Sequence, residues 1–349
     1  MSEKRIPCAL LINDIHVSKD NIPEFQKNWD EALEICKKQD IPEIIIGGDL
    51  LQSRSSYQTL DVLLAVRQAI IKATNAGLEL TIAEGNHDLV DQEAILGYCH
   101  VFSEYPHVYV VDDYVSIDCS DDVTLYVMSY APESGSFINR LQDIIDNDFD
   151  RNKHNILYIH EGIKGGLAMP SDDELPTKIF KNFDAVLVGH YHNRCKIKGT
   201  NIEYVGASRQ HNFGEDEEKG YTILYDDGSY EFIKNESNTR YKVIDLALQD
   251  VDNHLIEELN DIKSNGKYKV KARINCSTTD VQNIDKQKLL EAGAAKVEIV
   301  TEKTIAKSVE AHSLDRKFDK TGIKQEYESF CSEKVIDSSM GLQYLDKIH

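Results

Sequence analysis

The chain has 349 residues, 41% hydrophobic and 28% charged, with a formal net charge of −21. That length suits a main domain of about 200–250 residues plus a smaller one, with enough apolar residues for a sizeable core. So acidic a chain is excluded from gripping nucleic acid unaided over a broad basic surface; a polynucleotide substrate would need a local basic face or a partner.

Residues 6–12 are an apolar run and predict a buried strand that ends at Asn13-Asp14-Ile15-His16. The i, i+2 spacing sets Asp14 and His16 on one side of an extended segment. Phe25, Trp29, Leu33 and Cys36 recur at helical spacing, which predicts an amphipathic helix over residues 23–38. Residues 41–46 are the next strand, ending at Gly47-Gly48-Asp49. Residues 59–75 predict a second helix, with Thr59 as its cap and Gly77 as its stop. Residues 78–83 are the third strand and deliver Gly85, Asn86, His87 and Asp88. This alternation predicts a largely parallel sheet with helices on its faces.

Beyond Asp88, residues 108–114 and 123–128 are short β-rich runs set apart by acidic turns, predicting an antiparallel second sheet. Residues 138–145 read as helix. Residues 156–159 and 185–188 read as strands that end in His160-Glu161 and in Gly189-His190-Tyr191-His192. Residues 202–205 and 221–225 complete this β-rich half; the charged residues 213–220 predict a surface loop, and the polar residues 235–241 a linker.

A smaller α/β module follows: helix over 251–262, strand over 267–275, helix over 286–292 and strand over 297–300. In its first strand Tyr268, Val270, Ala272 and Ile274 alternate with Lys267, Lys269, Lys271 and Arg273. Charged faces are common on edge strands. This one is also the local exception to the acidic balance, so Lys269, Lys271 and Arg273 are candidate contacts to DNA phosphates. The tail from residue 323 places Tyr327, Phe330 and Cys331 at helical spacing, then Met340, Leu342, Tyr344 and Leu345, and predicts docking on a partner. The predicted division is residues 1–234, 235–305 and 306–349. The seven cysteines are odd in number and form no Cys-x-x-Cys pair, which predicts reduced thiols. No long apolar span, leader or lipidation pattern stands out, which predicts a soluble, cytoplasmic protein without a membrane partner.

The ends of five apolar runs carry Asp14, His16, Asp49, Asn86, His160, His190 and His192. Oxygen and imidazole donors together suit manganese, iron or zinc better than calcium or magnesium. Seven ligands are too many for one ion and suit two if one carboxylate bridges them. Two adjacent ions can polarise a water and hold two oxygens of a phosphate for in-line attack. His87, beside Asn86 but not needed as a ligand, is the candidate general acid for the leaving oxygen. Asp88 is the candidate to orient His87 or a ligand by hydrogen bonding. Taken singly, each cluster has a plain alternative: a turn at Asp14-Ile15-His16 or Gly48-Asp49, a helix N-cap at Asn86-His87-Asp88. Five such clusters, each closing an apolar run, are a poor fit to chance. Tyr130 and Glu161 are candidate cleft residues, with Tyr130 equally suited to a core.

In order, these clusters read D-x-H, G-D, G-N-H-D, a strand-end H and G-H-x-H. The set resembles the calcineurin-like metallophosphoesterase superfamily over residues 6–230. The resemblance implies an α/β fold, a four-layer β-sandwich flanked by helices, here followed by a small α/β capping module and an apolar tail. It implies one ion on Asp14, His16, Asp49 and His192 and a second on Asp49, Asn86, His160 and His190, with Asp49 bridging and His87 as catalytic acid. Mn2+ is the metal implied first, with iron or zinc as alternatives.

Within the superfamily the chain most resembles the SbcD-type DNA repair exonucleases, including phage recombination endonuclease subunits. Gly48-Asp49-Leu50-Leu51 is similar to their G-D-L-F. Tyr204-Val205-Gly206-Ala207-Ser208-Arg209-Gln210, followed by Glu215 and Lys219-Gly220-Tyr221, is similar to their stretch after G-H-x-H. Asp14-Ile15-His16 continues as Val17-Ser18 instead of Leu-Gly. Gln52 stands where many members have a histidine or aspartate that serves exonuclease action, and is a candidate substrate contact. The resemblance implies DNA and an SbcC-like coiled-coil ATPase, docked on the tail, as partners, allows a homodimer, and suits a bacterial or phage-infected cell. The alternatives are a stand-alone phosphoesterase acting on a small diester or phosphoprotein, and a non-catalytic metal-binding adaptor.

Overall fold

The structure, a computed structural model, describes residues 5–52, 57–90, 97–131, 134–167, 174–251, 253–301, 327 and 331. It divides into two units, Met1–Tyr241 and Lys242–His349.

The first unit opens with β1 (Pro7–Ile12), α1 (Ile22–Gln39), β2 (Glu43–Gly47), α2 (Leu60–Asn75), β3 (Glu79–Ala83) and β4 (Val108–Val111). The four strands pair in parallel, in chain order. Helix α1 buries Phe25, Trp29 and Cys36, and α2 buries Val62, Val66 and Ile70, the stripes set by helical spacing. Trp29 Nε1 donates to Ala69 O at 2.9 Å and ties the two helices together. Thr59 does occupy the N-cap of α2, but its carbonyl, not its hydroxyl, takes the first amides, Val62 N and Leu63 N.

Next come β5 (Tyr114–Ser120), β6 (Val123–Met128), α3 (Ser134–Asp143), β7 (His154–His160), β8 (Ala185–Gly189), β9 (Cys195–Lys196) and β10 (Ile202–Tyr204). They form a six-stranded sheet in the order β5-β6-β7-β8-β10-β9. β11 (Gly220–Tyr225) and β12 (Tyr230–Lys234) then return to the first sheet, whose order is β12-β11-β1-β2-β3-β4.

Period-2 alternation explains how the sheets stack. Ala9 and Leu11 of β1, with Ile45 and Ala83, meet Val123, Leu125, Ile156 and Leu187 of the second sheet in one core. Leu10 and Ile12 face the other way, onto α1 and α2. The outer face of the second sheet packs on Phe137 and Leu141 of α3 and on Phe180 and Phe183. The result is helix on sheet on sheet on helix, the four-layer α/β sandwich expected.

Several sequence expectations need correction. The run 108–114 is split between sheets, because exposed Asp112 and Asp113 carry the chain from one to the other. The second sheet is mixed, with β6, β7, β8 and β10 parallel and antiparallel pairs only at its edges. Residues 221–225 belong to the first sheet, antiparallel to β1. The stretch 213–220 is more than a surface loop: Lys219 is fully buried and donates to Asp216 Oδ1 at 2.8 Å and Asn193 Oδ1 at 2.9 Å. The stretch 235–241 is no solvated linker either. Asn235 and Arg240 are buried, and Glu31 accepts from Glu236 N and Ser237 Oγ, each at 2.6 Å. Hydrophobic patterning cannot register segments held down by polar contacts.

The second unit is built on β13 (Arg240–Ala247), α4 (Asn253–Asn265), β14 (Tyr268–Asn275), α5 (Lys286–Ala292) and β15 (Ala294–Val300), with strand order β13-β14-β15. Val270, Ala272 and Ile274 share a core with Leu255, Leu259 and Leu289. β14 is therefore the central strand, not an edge. Its cationic face is also compensated: Lys271 Nζ lies 3.0 Å from Glu298, and Arg273 lies 3.2 Å from Glu298 and 3.3 Å from Asp245. Apart from Tyr327 and Cys331, the predicted docking tail, residues 306–349, lies outside the described residues. Among the described residues no helix is long and apolar enough to cross a membrane.

Candidate metal centre and active site

The site is assembled where strands of both sheets end. β1 delivers Asp14 and His16, β2 delivers Asp49, and β3 delivers Asn86 and His87. From the second sheet, His160 is the last residue of β7, and His190 and His192 follow β8. Asp14, His16, Asp49 and His160 are buried.

The backbone here is not extended, as the i, i+2 argument for Asp14 and His16 supposed. Asp14 and His16 both have φ 50°, Asp49 φ 53° and His190 φ 88°. Such left-handed conformations in non-glycine residues cost about 1–3 kcal/mol each and persist only where surrounding contacts impose them. Those contacts are present. Arg209, itself buried, donates to Ile15 O at 3.2 and 3.1 Å and to His16 O at 3.2 Å. Asp14 N, Ile15 N and His16 N donate to the carbonyls of Gly48 and Asp49. Asp88 is fully buried and accepts from Leu50 N at 3.2 Å, Leu51 N at 2.7 Å and Gly85 N at 2.8 Å. Burial, then Asp49 and Glu84, push its carboxyl well above the ordinary range. Asp88 thus braces the loop carrying Asp49.

Asp49 lies between two donor sets. Its Oδ2 is 3.1 Å from His160 Nε2 and 3.5 Å from His16 Nε2, and its Oδ1 accepts from His87 N at 2.8 Å. On one side His16 Nε2 and His192 Nε2 approach to 3.1 Å. Asp14 Oδ1 lies 3.9 Å from His192 Nε2 and 4.0 Å from His16 Nε2. On the other side His190 Nδ1 is 3.0 Å from Asn86 Oδ1, and Asp49, His160 and His190 bring ligand atoms within 4.8 Å of one another. The His87 ring stands edge-on to His16, with centroids 4.7 Å apart.

These residues fit divalent ions. His160 Nδ1 is taken by Gly47 O at 3.1 Å, which turns its buried Nε2 toward Asp49 Oδ2, 3.1 Å away. Fixing one imidazole nitrogen on a carbonyl or carboxylate is how proteins present the other to a metal. Burial drives His16 and His190 down to about 3, so both are neutral at pH 7, the ligating form. Burial also opposes charge on His160, but Asp49 and Asp14 outweigh it and lift the ring to about 10 in the metal-free protein, so an ion bound there must displace its proton. Asp49 is correspondingly held below the ordinary range: burial resists, and His160 and His16 prevail.

The remaining predicted residues sit differently. Glu161 is buried, accepts from Ala131 N at 3.1 Å and is pushed by burial up to about 8, so it braces the loop after β6 instead of facing substrate. Tyr130 is half-buried, and its N–H donates to Glu84 O at 2.8 Å. Gln52 is exposed, with its N–H on Val17 O at 3.1 Å. Lys269, Lys271 and Arg273 belong to β14 in the second unit.

Sequence reasoning assigned no role to Asn13, His211 or Glu215. Asn13 Nδ2 bonds to Asp14 Oδ2, and Asn13 Oδ1 accepts from Tyr158 Oη at 3.0 Å. Glu215 Oε1 takes His192 Nδ1 at 2.8 Å. None of them has a ligand-like spacing; Glu215 is flagged only by the stretch after the last histidine motif.

The glycines are equally specific. A Cβ on Gly85 would lie 2.4 Å from Asp49 N and 2.3 Å from Asp49 Oδ1. Backbone cannot yield as a flexible side chain does. Gly85→Ala is expected to cost about 3 kcal/mol, the upper end for overpacking, and to displace Asp49. Urea unfolding of the variant measures the first effect and metal titration the second.

The profile described as calcineurin-like phosphoesterase matches residues 9–194. Protein 244L of Invertebrate iridescent virus 6, which carries the name of a phosphoesterase, is 30% identical over 223 residues, 62% of this chain and 74% of that protein. The SbcD component of the nuclease SbcCD from Staphylococcus saprophyticus is 27% identical over 222 residues, 56% of this chain; the chain spans only 58% of that relative's length. Among solved structures, the Pseudomonas putida nuclease MPE is 14% identical, with 63% of this chain and 84% of that one covered, at a TM-score of 0.29, too low to add to the argument. On the profile match and the viral relative, the chain belongs to the calcineurin-like phosphoesterase family, whose members are metal-dependent hydrolases.

Proposed function

We propose that the chain is the nuclease component of an SbcD-type assembly. In this reading it hydrolyses DNA phosphodiesters with two divalent ions, Mn2+ foremost, and works with an SbcC-like coiled-coil ATPase docked on its C-terminal tail. The observation that carries the reading is Asp49, whose carboxylate faces His160 at 3.1 Å and His16 at 3.5 Å. Asp14, His16, Asp49 and His192 would hold one ion, and Asp49, Asn86, His160 and His190 the other. When bound, such ions stabilise the charge that builds on a phosphate under displacement. His87 protonates the leaving oxygen. Its backbone N–H is anchored on Asp49, and its imidazole stands edge-on to His16 beside the donor sets.

A cleft of about 490 Å³ beside His190 and His192, lined also by Leu167, Tyr191 and Asn193, has room for the sugar and base next to the scissile phosphate. Its described lining includes no lysine or arginine. With a net charge of −21 and a compensated strip on β14, the described residues offer no strong grip on a polyanion, which favours a partner that supplies one. The likeness to the staphylococcal SbcD component, named as part of a nuclease, supports a nucleic acid as substrate.

The test is hydrolysis of single- and double-stranded DNA beside a small phosphodiester, with Mn2+, with and without an SbcC-type ATPase. DNA cleavage, strengthened by the ATPase, is the expected result. Turnover of the small diester with DNA untouched even beside the ATPase would favour a stand-alone phosphoesterase. Bound metal without turnover of any substrate would favour the adaptor.

A further inference from the structure

His211 lies outside every motif that marks the site, yet its ring stands among the donors. Its centroid is 4.9 Å from that of His16 and 4.7 Å from that of His192. Ligand-capable nitrogens of the three histidines lie within 4.8 Å of one another. His211 Nε2 is 2.7 Å from Asp14 O. A carbonyl only accepts, so Nε2 carries the proton and donates, and Nδ1 keeps its lone pair. This is the pattern of a metal-ligating histidine, one nitrogen fixed on a carbonyl or carboxylate and the other left for the ion. His160 follows it through Gly47 O and His192 through Glu215.

The loop that carries His211 is clamped by the same carboxylate that fixes His192. Glu215 Oε2 accepts from His211 N at 3.0 Å, while Oε1 takes His192 Nδ1 at 2.8 Å and Asn212 Nδ2 at 2.7 Å. One side chain thus holds the His192 ring and the backbone that carries His211. A purely structural role explains the bond to Asp14 O. It does not explain why the ring is set beside His16 and His192.

We propose that His211 is a further ligand to the ion held by Asp14, His16, Asp49 and His192. That ion then has three imidazole donors, and its neighbour, on Asp49, Asn86, His160 and His190, has two. The inference rests on the two-metal reading and adds a ligand and an asymmetry to it. Imidazole favours zinc and iron more than manganese, so the His211 side is the one that takes zinc preferentially.

The experiment is nitrogen-15 NMR of the full chain with labelled histidines, titrated with Zn2+. His211 is assigned by the resonance lost in His211→Gln. Its Nδ1 is expected to shift in step with the ring nitrogens of His16 and His192. If His16 and His192 shift while His211 Nδ1 keeps its metal-free position, the proposal is overturned. In equilibrium dialysis, His211→Gln is expected to weaken one of two Zn2+ sites by about 10-fold or more and to leave the other unchanged; two unaltered sites would equally overturn it. If the variant fails to fold, measured by circular dichroism, the unaltered protein's coupled zinc shifts in the imidazole region still decide, because a fifth bound imidazole beyond the four motif histidines is expected and its absence is contrary. Neither readout uses DNA, so a failed nuclease reading leaves the result standing. A titration that shifts no imidazole at all would remove the two-metal reading and this inference together.

Discussion

Asp49→Asn is expected to lower kcat by about 10³-fold or more, a loss of several kcal/mol of transition-state stabilisation, and to reduce bound metal from two ions to one or none. The substitution keeps shape and volume. It replaces one carboxylate oxygen by an amide NH2, which donates and cannot ligate. Both oxygens matter: Oδ2 faces His160 and His16, and Oδ1 holds His87 N. Burial deepens the effect, since Asp49 is 1% exposed and no solvent can take over the missing charge. Steady-state hydrolysis of a small phosphodiester, with metal content measured on the same sample, checks it. A variant with near-normal turnover and two bound ions would remove Asp49 from the bridging position.

His87→Ala is the second large effect, and it separates proton transfer from metal binding. Loss of a general acid costs about 10²–10⁴-fold. The variant retains the backbone N–H that donates to Asp49 Oδ1, so the donor sets keep their anchor and two ions are still expected to bind. The size of the loss depends on the leaving group. A DNA ester expels an alkoxide and needs the proton, so the full loss is expected there. A p-nitrophenyl ester expels a stable phenolate, and the loss is expected to shrink to about tenfold or less. Equal losses on both substrates would contradict the acid role and leave His87 a positioning residue.

Much of this site was legible in the sequence because its parts are local. Each donor sits within a few residues of the end of an apolar run, and buried strands of an α/β sandwich end together at one edge. Asp14, His16, Asp49, Asn86, His160, His190 and His192 therefore converge once the strands pair. What was not legible depends on contacts far apart in sequence. The left-handed backbone at Asp14, His16 and Asp49 is imposed by Arg209, Asp88 and the carbonyls of the neighbouring loop. Nothing in the local sequence of Asp14-Ile15-His16 announces that conformation. Glu215 reaches the site from within the charged stretch 213–220, which charge had marked as a surface loop, and His211 lies just before it. The split of the run 108–114 and the return of β11 to the first sheet are decisions of packing, since either sheet offers an apolar face to the same strands.

Diffraction from crystals grown with Mn2+ and recorded at the manganese absorption edge addresses the central claim most directly. The anomalous map is expected to hold two peaks about 3.5–4 Å apart, one on each side of the Asp49 carboxylate, the first beside Asp14, His16 and His192 and the second beside Asn86, His160 and His190. A single peak, or peaks that leave Asp49 untouched, would contradict a two-metal centre bridged by that residue.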